Sequence, residues 1–228
     1  NPRDAEFFNS IRGKEFGTNV VAFGSTRRRG IRPEEDGNCL ALLGAETETV
    51  AIFGKGWLLH VTDVLHTTPE ENLAMIRDTV AFFVKKGKRV FYDAEHFFDG
   101  YLDNPEYAMA TLRAAEEAGA ERLILCDTNG GTFPETVAEI VQSVSEVAAV
   151  PLGIHCHNDT GCAVAASLAA VEAGAVQVQG TFLGIGERCG NANLSTLIGD
   201  LQLKKGYACI PEEKMPNLTS TARYLADI

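Results

Sequence analysis

The feature that most constrains the fold is a regular alternation of short apolar runs with amphipathic helical patterns along nearly all of the 228 residues. Most of the runs are continuous rather than alternating, as expected for strands buried on both faces of a sheet. Right-handed βαβ crossovers join such strands into a parallel sheet, either doubly wound or closed as a barrel. We expect strands at residues 19–24, 50–54, 89–93, 122–127, 148–155 and 176–181.

Three of the intervening helices have clear start signals. Thr68 stands before a proline, and Glu71 follows three residues later, which combines an N-cap, a first-turn proline and a capping box. Asn104 and Thr132 stand close before prolines in a similar way. These signals predict that a helix opens at each position.

Polar residues follow almost every predicted strand. Catalytic groups at the carboxyl ends of many strands are typical of a (β/α)8 TIM barrel, and the absence of G-x-G-x-x-G after the first strand gives a dinucleotide-binding fold no support. Six strands are visible and the chain does not begin with Met, so we expect a barrel fragment that lacks roughly the first two strands. Residues 1–205 would then be the partial catalytic barrel, and residues 206–228 the start of a C-terminal linker or subdomain.

A pair of histidines follows the strand predicted at 148–155. His155 and His157 are two residues apart, and side chains at that spacing on a strand share a face. Two imidazoles on one face can bind a single divalent metal. The alternative is a pair of hydrogen-bonded histidines at a strand end, and the spacing alone does not decide between them.

Composition excludes several classes of function. The net charge of -11 argues against a nucleic-acid partner, which would require a basic face. The six cysteines are scattered without a C-x-x-C pair, which favours reduced thiols in a cytoplasmic protein. No run of eighteen apolar residues and no signal peptide is visible, so no membrane partner is expected.

Two motifs one βα unit apart carry a family resemblance. Residues 155–159 read HCHND, and residues 184–192 read GIGERCGNA. Together they resemble the acyl-CoA condensing barrels, which include the isopropylmalate, homocitrate and citramalate synthases and, more distantly, the hydroxymethylglutaryl-CoA lyases. Residues 22–28, 52–55 and 93–100 look most like the citramalate synthase branch.

The resemblance implies an acyltransfer reaction. The methyl carbon of acetyl-CoA adds to a 2-oxo acid, pyruvate in the citramalate synthases, and the thioester is then hydrolysed. The product serves isoleucine biosynthesis, and a homodimer is expected for the full-length protein. Isopropylmalate or homocitrate synthase is the alternative within this mechanism.

The resemblance also implies a metal site. His155 and His157 would ligate the ion together with Asn191, and a further Asp ligand and a catalytic Arg would precede this chain. The ion polarises the ketone and holds the carboxylate of the 2-oxo acid. Mixed nitrogen and oxygen ligation suits Mn²⁺, Mg²⁺ or Zn²⁺, so the identity of the metal stays open.

Four further residues are assigned by the same resemblance. Glu95 would be a catalytic acid that handles protons, although a charge paired with a neighbouring Lys or Arg is the alternative. Asp93 would shape the pocket for the methyl group of pyruvate, and the Thr128 hydroxyl would donate to the carboxylate. Glu187 would contact substrate, unless it forms an ion pair with Arg188 that shapes their loop.

Some charged residues keep two interpretations. The run Arg27, Arg28 and Arg29 suits the phosphates of CoA, but a structural salt bridge or a solvated loop explains it equally well. Asp159 is predicted to hold a loop or a histidine in place. Among other barrel enzymes, a biotin-linked carboxyltransferase would need a carbamylated lysine at a strand end, and Lys55 is the sole candidate.

Overall fold

A computed structural model describes residues 2–228 and shows an α/β protein. Six strands form one sheet in the order β1-β2-β3-β4-β5-β6, as sequential βα units predict. The strands are β1 Val21–Ser25, β2 Thr49–Lys55, β3 Arg89–Glu95, β4 Arg122–Asp127, β5 Leu152–Cys156 and β6 Gln177–Gln179. The helices are α1 Pro2–Ile11, α2 Gly37–Gly44, α3 Leu58–Asp63, α4 Pro69–Lys85, α5 Phe97–Asp103, α6 Pro105–Glu117, α7 Pro134–Ser145, α8 Ala163–Glu172, α9 Leu194–Gly199 and α10 Leu218–Ala226.

The strands pair as the apolar runs predict. Parallel pairing joins β1 to β2, β2 to β3 and β5 to β6. The predicted α/β class and all six strands are therefore confirmed. Closure into an eight-stranded barrel, the absence of two earlier strands and a domain boundary after residue 205 remain predictions.

The fifth strand begins later than the prediction of residue 148. Pro151 has no backbone N–H to give to a sheet, and the amides of Ala149 and Val150 donate instead to Glu116 Oε1, at 2.6 and 3.1 Å. The strand therefore begins at Leu152.

All three predicted helix starts are confirmed, and two of them have the predicted cap. The Thr68 hydroxyl accepts from the Glu71 amide at 3.2 Å, and Asn104 Oδ1 accepts from the Tyr107 amide at 3.0 Å. Thr132 is a correction. It does not cap α7; its hydroxyl donates to Asp127 Oδ1 at 3.0 Å, because the carboxylate is buried close by and needs a donor.

Two compact units make up the chain. The first extends to Ile124 and includes Ala148–Pro151, and the second comprises Leu125–Val147 and Leu152–Ile228. In the first unit, α4 packs against β2 and β3 with Ile76, Val80 and Phe83 fully buried. Burial of each such side chain contributes roughly 1.5–3 kcal/mol.

In the second unit, α8 packs against β5 and β6. Its core includes Ile154 and Cys156, both almost completely buried. None of the helices in residues 2–228 has the length and apolar character needed to span a bilayer.

Candidate active site

The paired histidines lie in the second unit, at the carboxyl end of β5. His155 is within the strand and His157 follows it directly, with their ring centroids 5.1 Å apart. Cys156 between them is buried, and burial raises the pKa of its thiol to about 12. The two imidazoles lie side by side while Cys156 is packed in the core, so the shared face of the two histidines is confirmed.

His155 is held in a fixed orientation. Its Nδ1 lies 2.9 Å from Gln179 Oε1, an acceptor, so Nδ1 carries the hydrogen and Nε2 offers its electron pair. Burial lowers the pKa of the imidazole, and the neighbouring His157 lowers it further. The ring is therefore neutral at pH 7, as a metal ligand must be.

His157 faces a guanidinium. Arg188 Nη2 lies 3.1 Å from its Nδ1. An arginine can only donate hydrogen bonds, so Nδ1 is the acceptor in this contact and the hydrogen of the neutral ring is on Nε2. Ligation of a cation through Nε2 would require the hydrogen to move to Nδ1 and Arg188 to release that nitrogen. The ring is 8 % exposed, and its backbone amide donates to the Asp127 carbonyl at 3.1 Å.

Asn191 supplies an oxygen close to the His155 ring. A β-bridge joins it to His157, and its Nδ2 donates to the Ile185 carbonyl at 3.3 Å. Its Oδ1 is buried and accepts no hydrogen bond of normal geometry from any residue that the structure describes, although the side chain is near enough to raise the pKa of His155. A buried acceptor without a donor costs free energy, which a cation would recover.

The absence of a side chain at Gly186 leaves the space that the Asn191 amide occupies. A Cβ added at Gly186 would lie 1.8 Å from Asn191 Nδ2, so this loop requires glycine there. The structure thus brings together the three predicted ligands. Two imidazoles and one amide oxygen suit a divalent cation, but within residues 2–228 no three His, Cys, Asp or Glu side chains form a metal-binding group by themselves.

Thr128 opens the loop that follows β4. The carboxylate of the preceding Asp127 is 2 % exposed and accepts from the Thr132 amide at 3.2 Å as well as from its hydroxyl. The carbonyl of Thr128 accepts from Arg188 Nη2 at 2.8 Å. The loop is therefore anchored at both sides of Thr128, in the same unit as the histidines.

Glu187 and Arg188 form the mutual ion pair that was one of the two interpretations, but it is loose. Their nearest charged atoms are 3.6 Å apart, and the Glu187 side chain is 77 % exposed. Arg188 has closer contacts with Asp159, to which it donates from Nε to Oδ1 at 2.7 Å and from Nη2 to Oδ2 at 2.9 Å. This contact holds the pKa of Asp159 below its usual range. Asp159 therefore holds a loop, as predicted, through Arg188, for which the sequence had suggested only Glu187 as a partner.

Asp93 and Glu95 lie in the first unit, at the end of β3. Asp93 is 3 % exposed. Glu95 Oε2 lies 2.5 Å from Lys55 Nζ, and the two residues are paired opposite each other on β3 and β2. The contact is an ion pair, but its angles are not those of a hydrogen bond. The alternative for Glu95, a charge paired with a neighbouring Lys, is therefore observed. The catalytic role of Glu95 remains a prediction. Lys55, the candidate for carbamylation, is occupied by this pair.

The arginine run divides in two. Arg27 is buried and pairs with Glu71 and Asp78, each at 2.8 Å, which is the structural salt bridge that the sequence allowed. Arg28 and Arg29 are exposed and border a cavity of about 330 Å³ between β1, β2 and the loop after α3. Their contact with a phosphate remains a prediction.

Three aromatic rings cluster in the first unit without any spacing signal in the sequence. The rings of His60 and His96 have centroids 4.2 Å apart, and Trp57 stacks on His60 at 5.0 Å. Burial lowers the pKa of His60, and His96 lowers it further. Contacts of this kind depend on which loops meet, so no local pattern could have indicated them.

Comparisons with known proteins agree with the motifs. The HMGL-like family matches residues 3–224. An (R)-citramalate synthase of Synechocystis is 53 % identical over the whole chain and 43 % of its own length, and one of Aquifex aeolicus is 51 % identical over the whole chain and 44 % of its length. The chain thus spans less than half the length of these relatives.

A solved structure shows the same fold. An HMG-CoA lyase of Acinetobacter baumannii in complex with coenzyme A and 3-methylmalate superposes with a TM-score of 0.76, at 18 % identity, over 97 % of this chain and 72 % of that one. The resemblance to citramalate synthases within the superfamily of the lyases is confirmed.

Proposed function

We propose a function from the premise that the chain belongs to the HMGL-like family. In our proposal the protein condenses acetyl-CoA with a 2-oxo acid, and pyruvate is the preferred acceptor. A carbon–carbon bond forms between the acetyl methyl carbon and the ketone carbon. Water then cleaves the thioester, so acetyl-CoA, pyruvate and water give citramalate and free CoA.

One observation carries the proposal. His155, His157 and the acceptor Oδ1 of Asn191 come together in one unit, with Thr128 on a neighbouring loop. The neutral imidazole of His155 and the buried Asn191 oxygen without a hydrogen-bond donor both suit a divalent cation. The two citramalate synthases support the choice of pyruvate, and the lyase bound to coenzyme A supports a CoA thioester as the second substrate.

Each residue has a stated role in this proposal. A divalent Mn, Mg or Zn ion held by His155, His157 and Asn191 would polarise the ketone and bind the carboxylate of the 2-oxo acid. Thr128 would donate its hydroxyl to that carboxylate. Glu95 would move a proton during enolisation of the thioester.

Two side chains would tune substrate binding in this proposal. Asp93 would limit the pocket to a small 2-oxo acid, and Glu187 would contact substrate from its exposed loop. We further propose a cytoplasmic homodimer that serves isoleucine biosynthesis, by analogy with the citramalate synthases.

The test is the release of free CoA from acetyl-CoA by the purified full-length protein with added Mn²⁺, Mg²⁺ or Zn²⁺. Pyruvate and 2-oxoisovalerate are compared as acceptors. Preference for pyruvate supports the proposal, whereas preference for 2-oxoisovalerate would make the protein an isopropylmalate synthase. No release with either acceptor refutes the proposed condensation.

The matched variants are His155→Ala and Lys205→Gln. The first removes a proposed metal ligand, and we expect a loss of at least about 100-fold. The second removes an exposed ion pair with Glu172 in the same unit and should leave the rate unchanged.

A further inference from the structure

We propose that Arg188 is a positioning residue, which holds the loop after β4 and the loop after β5 in the arrangement that binds the 2-oxo acid. The effect of Arg188 on substrate binding rests on the proposed function. Its effect on the two loops does not, because amide hydrogen exchange in the loops can be measured without any turnover.

The first support is the reach of one guanidinium. Arg188 donates to the Asp159 carboxylate through two nitrogens at 2.7 and 2.9 Å, to the Thr128 carbonyl at 2.8 Å and towards His157 Nδ1 at 3.1 Å. The acceptors belong to the segments that follow two different strands. A planar fork can serve such a set, whereas a lysine ammonium acts as a single point of charge.

The second support is the crowding at Nη2. That nitrogen has two hydrogens and three acceptors, namely Asp159 Oδ2, the Thr128 carbonyl and His157 Nδ1. At least one hydrogen must therefore be shared, and a displacement of one acceptor changes the bond to another. The positions of Thr128 and His157 are coupled through this atom.

The third support is the backbone of Arg188 itself. It adopts a left-handed conformation at φ +53°, which is unfavourable for a side chain with a Cβ. Such a conformation persists only where the surrounding contacts outweigh its cost, and it is common at functional sites. The four contacts of the guanidinium provide that compensation.

The fourth support is the close approach of the two loops that Arg188 joins. A Cβ added at Gly130 would lie 2.6 Å from Asp159 Oδ2, so the loops touch there. The amide and hydroxyl of Thr160 both donate to the Gly130 carbonyl, and the Asn158 amide donates to the Gly190 carbonyl at 2.8 Å. Arg188 adds to this network the contacts with Asp159, Thr128 and His157, so the hold on both loops depends on it as well.

The kinetic test uses Arg188→Lys and Asp159→Asn, with Lys205→Gln as control. We expect both site variants to raise the KM for pyruvate about tenfold while the KM for acetyl-CoA changes less than twofold. If Arg188 and Asp159 had a purely structural role, the KM for pyruvate and the KM for acetyl-CoA would change by the same factor, or neither would change. Equal shifts, or no shift in either variant, would overturn the inference.

The structural test follows amide hydrogen exchange in the same proteins. We expect faster exchange in peptides covering 127–132 and 157–161 in both site variants, with α7 and the control unchanged. Unchanged exchange in those peptides overturns the inference even if the enzyme is inactive. If the wild-type protein releases no CoA, the proposed function fails while this measurement still decides the role of Arg188.

Discussion

The two units treat the polar groups at their strand ends differently. In the first, opposite charges lie together: Arg27 pairs with two carboxylates, and Glu95 Oε2, although it too lacks a hydrogen bond of normal geometry, has the Lys55 ammonium 2.5 Å away. In the second, His155 is neutral and the buried Oδ1 of Asn191 accepts no hydrogen bond of normal geometry from the described residues. A charged group at a strand end is therefore weak support for a ligand site, and an unsatisfied buried acceptor is better support.

The largest expected effect tests whether Glu95, in the first unit, takes part in catalysis or only forms an ion pair. Glu95→Gln should lower the rate of CoA release by about 10²–10⁴-fold if Glu95 moves a proton. The free energy of unfolding should fall by only about 1 kcal/mol, since an amide keeps the shape and some contact with Lys55. Initial rates and a urea melt provide both numbers.

Lys55→Gln is the matched control for that experiment. If it lowers the rate as much as Glu95→Gln does, the pair acts as a unit and Glu95 has no separate role. If neither variant affects the rate, the ion pair is structural and the assignment of Glu95 is wrong.

The second prediction concerns the buried cation of the first unit. Arg27→Met should lower the free energy of unfolding by roughly 3 kcal/mol, because Glu71 and Asp78 lose the partner that both contact. Arg32→Met removes an exposed pair with Glu35 and should leave the midpoint of the denaturant melt nearly unchanged. Equal effects in denaturant melts would contradict the distinction between buried and exposed pairs.

The third prediction sharpens the description of the second unit. Asn191→Asp places a negative charge at the unsatisfied oxygen and should tighten Mn²⁺ binding by about tenfold, measured by calorimetry without substrates. Asn193→Asp changes the charge in the same way at the N-cap of α9, two residues away, and should leave Mn²⁺ affinity within about twofold. Weaker binding by Asn191→Asp would show that Asn191 is not a ligand.

The smallest expected effect is a pH dependence in the first unit. Burial, His96 and Lys55 lower the pKa of His60, opposed by Glu95 and Asp99. The unfolded chain then binds the proton more readily than the folded one, so stability is complete above about pH 6.5 and falls on acidification below that value. His60→Gln should flatten this loss in melts between pH 7.5 and 5.5, and an unchanged slope would contradict it.

The sequence by itself determined the alternating strands and helices, two of the three predicted helix caps and the common face of His155 and His157. These features depend on periods of two and about 3.6 residues and on side chains within one turn of their targets. They are local, so a single segment of chain is enough to specify them. The family motifs added Asn191, which the structure places beside the histidines.

Only the tertiary structure decided which partner each polar group takes. Arg188 binds Asp159, 29 residues away, more closely than the adjacent Glu187, and Thr132 binds Asp127 rather than capping α7. These choices depend on which loops the packed strands bring together and on which acceptors become buried there. The energy of a charge or hydrogen bond depends on distance and burial in three dimensions, and neither is encoded in the spacing along the chain.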